Sequence, residues 1–170
     1  FGSKTAPDYR RSILAPWFAY WLKGVGTLSL PEATTFEAGS NTWRKWEAWP
    51  VRNGATPKRL YLQPNHKASF TAPSEQGSSA ADAFVSDPAN PVPYRQRPIH
   101  PTFTGGSTWS RWLADDQRFL KGRTDVVSWQ TDPLTDDVVI AGDIAAHLFA
   151  STTGSDADWI VKLIDVYPEN

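Results

Sequence analysis

The chain has 170 residues, enough for one large domain or parts of two, and 40% of them are apolar, which suffices for a core. A net charge of −1 lacks the basic face that nucleic acid requires, and no apolar run approaches the roughly 18 residues of a membrane span. With no cysteine, neither a disulfide framework nor a thiolate metal site is available, and the compartment stays open; no motif calls for a cofactor, and none is expected.

Taken in chain order, Asp8 to Lys23 reads as a helix. Asp8 is the expected N-cap, Ile13, Trp17 and Trp21 fall on one face, Pro16 predicts a kink, and Lys23-Gly24 is a C-terminal signal. Its face is too apolar for water and predicts a partner surface, without which Trp17 and Trp21 are left exposed. Next come strands over Ala33–Glu37 and Thr42–Trp49 around the turn Ala38-Gly39-Ser40-Asn41, then a boundary near Arg52–Pro57. Lys58–Gln63 and Lys67–Thr71 read as a hairpin across Pro64-Asn65-His66. Residues 73–83 are a Ser/Ala/Gly-rich loop, and 86–106, with Pro88, Pro91, Pro93, Pro98 and Pro101, form a long ordered loop of the kind that often carries function. Short β-rich runs follow at Asp125–Thr131, Val138–Ala141, Ile144–Ser151 and Asp158–Tyr167, with turns between them, which is sandwich or jelly-roll spacing. The runs 144–151 and 158–166 are apolar on nearly both faces and predict buried central strands. The chain holds no Met, opens into a helix and stops inside a strand-like run. Both ends are therefore expected to be cuts in a longer protein.

No residue presents itself as catalytic. A nucleophile elbow needs G-x-S-x-G after an apolar strand, and Gly77-Ser78-Ser79-Ala80-Ala81 has neither the last glycine nor the strand. His66 in a turn, His100 between prolines and His147 in a predicted strand are not at ligand spacing, so no metal site is assigned. Asp136-Asp137 reads as a solvated turn, and Asp156 and Asp158 as turn caps, with calcium the alternative for the acidic pairs. Nine tryptophans are unusual for this length. Trp109 and Trp112, just after the proline-rich loop, offer flat apolar surface and are the candidate substrate-binding residues; interdomain packing is the competing role.

The motifs Asp87-Pro88-Ala89-Asn90-Pro91-Val92-Pro93-Tyr94, Trp109-Ser110-Arg111-Trp112-Leu113, Asp116-Gln117-Arg118-Phe119, Asp125 to Leu134 and Ala150 to Pro168 occur in this order. Together they resemble the α-amino-acid ester hydrolases, which belong with cocaine esterase and the X-Pro dipeptidyl-peptidases. The opening Tyr9 to Phe18, through Leu22-Lys23-Gly24, fits the helix that follows the catalytic histidine in that family.

The resemblance implies a mostly β chain: an incomplete, galactose-binding-like jelly-roll over 55–170, preceded over 1–54 by the last helix and strand of an α/β-hydrolase domain. It implies acyl transfer through a serine acyl-enzyme on amino-acid esters or amides. The family's triad, oxyanion tyrosine and amine-binding acids match no position here, so no catalytic residue is transferred and this chain alone is expected to be inactive. The partners implied are a small ester or peptide substrate and the upstream hydrolase domain, with a homo-oligomer left open. A carbohydrate-binding or purely structural β-sandwich is the rival reading.

Overall fold

The computed structural model describes residues 4–73, 81–94, 97–111 and 114–168. Two compact units divide the chain: Phe1–Pro57 with Val138–Asp143, and Lys58–Asp137 with Ile144–Asn170.

In the first unit the helical segment begins three residues earlier than predicted. Helix α1 (Thr5–Tyr9) passes through a π-helical turn (Arg10–Leu14) into α2 (Ala15–Lys23). Asp8 is thus inside the first helix and not its N-cap, which is Lys4, with no side-chain cap bond. The π turn accounts for Pro16. A proline in a regular helix lacks the donor for the carbonyl four residues back and collides with it. Here Ala15 N–H donates to the Arg10 carbonyl, five residues back, so the register has already widened when the ring arrives. The C-terminus follows prediction: Gly24 is left-handed at φ 62°, its N–H donates to Tyr20 O at 3.0 Å, and Val25 N–H reaches Ala19 O at 3.1 Å. A left-handed Gly24 bonded to the carbonyl four residues back is the αL form of helix C-cap, and both bonds satisfy carbonyls the helix leaves unpaired.

Strands β1 (Ala33–Glu37) and β2 (Thr42–Trp46) pair antiparallel around the predicted turn, with Phe36 opposite Trp43 and Glu37 opposite Thr42. Phe36 and Trp43 meet edge to face at 5.2 Å, an arrangement that aligns the ring quadrupoles. Trp43 Nε1 donates to Asp8 Oδ2 at 2.8 Å and so ties the hairpin to the helix. Trp46 Nε1 donates to Thr35 Oγ1 at 2.9 Å. Arg44 forks onto both oxygens of Glu37 at 2.9 and 3.0 Å, while Ser40 Oγ donates to Oε1. These bonds, Arg44 first and then Ser40, hold the Glu37 carboxyl below its ordinary value.

In the second unit β3 (Tyr61–Gln63) and β4 (Lys67–Ser69) form the predicted hairpin. Asn65 and His66 both adopt positive φ, 61° and 60°, in its turn. Gln130 adds a parallel bridge to β4: its N–H donates to His66 O and its carbonyl accepts from Ala68 N–H. Beside this bridge lies Ala68, the one buried apolar side chain among the described residues.

The chain is mostly strand and loop, with little helix, and after residue 58 helical conformation among the described residues is confined to 3-10 turns, at Ala114 and at Arg118–Leu120. The expectation of buried central strands over 144–151 and 158–166 is not met in this chain. No ladder forms there, and Phe149, Ile160 and Val161 are exposed, Phe149 completely. The reason is physical: a strand exists only with a hydrogen-bonded neighbour, and these apolar runs have none among the described residues. Trp17 and Trp21 are also exposed, as expected of a helix face without a partner.

Candidate functional site

The loop that carries the candidate tryptophans is built by its own prolines, which withdraw backbone donors from any ladder. Successive tight turns replace the ladder: Thr104 N–H to Pro101 O, Ser107 N–H to Thr104 O, and Arg111 N–H to Thr108 O at 2.9 Å. Gly106, at φ 80°, lets the chain turn beneath the His100 ring; a Cβ there would meet His100 Nε2 at 3.7 Å. These turns bring Phe103 edge-on to Trp109, with centroids 5.9 Å apart. Phe103 is 91% exposed and Trp109 40% exposed, so the pair presents an aromatic surface to its surroundings. Trp112, the second tryptophan of the sequence reading, lies outside the described residues, as do Gly77, Ser78 and Ser79. Phe103 had no distinguishing sequence signal; only the turn geometry sets it against Trp109.

The base of the loop is held by charge. Asp87 begins a turn in which its Oδ1 accepts from Ala89 N–H and its carbonyl from Asn90 N–H. Arg123 follows the 3-10 turn and lays its guanidinium along Asp125, with Nε to Oδ1 at 2.8 Å and Nη2 to Oδ2 at 2.5 Å. The same Nη2 donates to the Asn90 carbonyl at 2.6 Å. Both side chains are largely covered, 18% and 10% exposed. The bidentate bond to Arg123 draws the Asp125 carboxyl below its ordinary value, and Asp125 in turn raises Arg123. A recess of about 540 Å³ opens over this clamp, lined by Val85, Ser86 and Asp87 on one side and Gly122 and Thr124 on the other. The Arg-x-Asp spacing is the sequence signal for the clamp, since alternate residues of an extended segment point the same way.

Further stitches complete the unit. Trp129 Nε1 donates to Asp82 Oδ2 at 3.0 Å, and the other oxygen of that carboxylate lies 3.9 Å from His66 Nδ1. Lys67 pairs with Asp132 at 2.6 Å beside a second, more open recess of about 370 Å³. Lys162 reaches Gln117 Oε1 at 2.8 Å and lies over the Phe119 ring. No group of three or more metal-ligating side chains occurs among the described residues, and no helix among them is long and apolar enough to cross a membrane. The arrangement offers aromatic surface and a charge-clamped loop base; among the described residues it assembles no nucleophile with a base.

Comparison with known proteins agrees with that chemistry. Residues 25–169 match the model of the X-Pro dipeptidyl-peptidase C-terminal non-catalytic domain. Cocaine esterase of Rhodococcus sp. (strain MB1 Bresler) is 33% identical over an aligned span of 147 residues, with 82% of this chain and 24% of that protein covered. A crystal structure of an aminopeptidase from the marine sediment archaeon Thaumarchaeota archaeon superposes with a TM-score of 0.66 at 40% identity, covering 79% of this chain and 21% of that one. The chain thus spans about a quarter of the length of these relatives. With the match running over most of its residues, the chain belongs to the family of X-Pro dipeptidyl-peptidase C-terminal non-catalytic domains.

Proposed function

We propose that this chain is the non-catalytic jelly-roll of a serine hydrolase that cleaves α-amino-acid esters or amides through an acyl-enzyme, and that its aromatic loop walls the active site of the full-length enzyme. The observation that carries the reading is the Phe103–Trp109 pair, held outward on a loop of turns in a domain whose relatives bear the names of an esterase and an aminopeptidase. Trp109 and Trp112 supply flat apolar contact to an acyl or leaving group, and catalysis falls to residues of an α/β-hydrolase domain. Within this proposal residues 1–54 close the hydrolase domain and 55–170 open the jelly-roll. Since the family match reaches back to residue 25, limited proteolysis of the full-length enzyme decides the boundary: cutting near 52–57 supports it, and cutting near 24–32 moves it.

Two measurements test the function. The isolated chain should leave p-nitrophenyl and amino-acid esters at the buffer rate; turnover that follows the protein through purification and survives Ser78→Ala and Ser79→Ala would reveal a catalytic site in this domain. In the full-length enzyme Trp109→Ala or Trp112→Ala should lower kcat/KM about tenfold, most for bulky aromatic substrates, because complete burial of such a ring is worth roughly 1.5–3 kcal/mol and a wall buries it only in part. A lowered Tm with an unchanged ratio of large to small substrates assigns both tryptophans to interdomain packing.

A further inference from the structure

Arg123 stands where the long loop returns to the body of its unit, and Asn90 stands where that loop departs. One guanidinium nitrogen bonds to both sides of this neck: the Asn90 carbonyl at 2.6 Å and Asp125 Oδ2 at 2.5 Å. The Asp87–Asn90 turn fixes the carbonyl, and the 3-10 turn Arg118–Leu120, followed by Gly122 at φ 81°, fixes the approach of Arg123. The clamp is largely covered, and its planar fork satisfies carboxylate and carbonyl together, which no other side chain does with the same geometry. From this geometry we propose that Arg123 is a positioning residue: by cinching the loop at residues 90 and 123 it sets where the Phe103–Trp109 pair is held, and thereby how the enzyme discriminates amino-acid esters with aromatic side chains from small ones.

The inference rests on the reading that this pair walls the active site. Its physical basis is leverage. Turns along the loop hold its local form, and the Arg123 bond to the Asn90 carbonyl spans the neck, reinforced by the attraction between Arg123 and Asp87. A small rotation at the neck is multiplied at the tip, and displacement of a positioned contact by about an ångström is costly to turnover. Substrate handling therefore changes although Arg123 touches no substrate.

The test uses the full-length enzyme with Trp109→Ala, Arg123→Gln, Arg123→Lys and Asp125→Asn, measuring kcat and KM separately for a phenylalanine ester and an alanine ester, together with Tm. Arg123→Gln and Asp125→Asn should each lower the aromatic-to-small ratio of kcat/KM about fivefold, mainly through KM, and Arg123→Lys should recover part of it because it keeps a charge without the fork. If Arg123→Gln fails to fold, Asp125→Asn, the same shape without the charge, carries the comparison. The proposal is overturned if Trp109→Ala shifts the ratio while the folded clamp variants do not; the wall reading then stands without it. It is overturned also if the ratio simply follows Tm across the clamp series. An unchanged ratio in Trp109→Ala removes the wall reading and this inference together.

Discussion

The hairpin β1–β2 and the stretch 138–168 have equally strong β composition, yet only the hairpin forms strands. In the hairpin the two segments are four residues apart, and the turn between them uses Gly39 at φ 94° and Asn41 at φ 55°, so the partner is delivered locally. Cross-strand pairs then lock the register: Phe36 on Trp43, Trp46 on Thr35, and Arg44 on Glu37. The segments 144–151 and 158–167 have turn residues between them but no such pairing, and Ile144, Phe149 and Ile160 stay in solvent. A local partner makes a strand self-sufficient, while an all-apolar central strand depends on sheets drawn from elsewhere.

That contrast is sharpest under hydrogen exchange, where the largest effect is expected. In the isolated chain, amides of 144–151 and 158–167 should exchange near the unprotected rate; in the full-length protein they should slow by at least about a hundredfold as the proposed sandwich closes over them. Equal exchange in both would mean that these runs are not strands in the complete fold. A smaller effect is expected from Trp43→Phe, which removes the hydrogen bond to Asp8 and leaves a part-exposed carboxylate with one donor fewer. It should destabilise the hairpin unit by about 1 kcal/mol, read from near-ultraviolet circular dichroism during denaturation. Gly24→Ala should cost about 1 kcal/mol of helix stability, because an L side chain resists φ 62° at this left-handed C-cap.

The smallest effect is electrostatic. Glu37 is held below its ordinary value by Arg44 and Ser40, so its contribution is present above that ordinary value and is lost as pH falls through the folded one. Glu37→Gln should flatten the hairpin's acid response as pH falls below the ordinary carboxylate value, measured as amide shifts of β1 and β2 by NMR. The pair is exposed on the Arg44 side, and salt should weaken the effect. A response unchanged in Glu37→Gln would show that the network contributes geometry and no pH-dependent stability.

What the amino-acid sequence determined by itself was what neighbours in the chain decide. The Gly24 cap, both hairpins with their turns, the proline-rich loop and the resemblance to the hydrolase family were all legible, because caps, turns and donor loss act within a few residues. The strain at Pro16 was legible as well, though its relief by a π turn rather than a kink was not, since either moves the ring off the carbonyl that lost its donor. Half of the candidate site was readable: Trp109 stood out by type and position, whereas Phe103 became its neighbour only through turns whose geometry no pattern encodes. The same holds for Arg123, whose partner Asp125 is two residues away and visible, but whose second partner, the Asn90 carbonyl, lies across the whole loop. Tertiary structure also decided that the most apolar runs would not be strands in this chain, because burial and ladder bonds are supplied by other segments and not by the run that needs them.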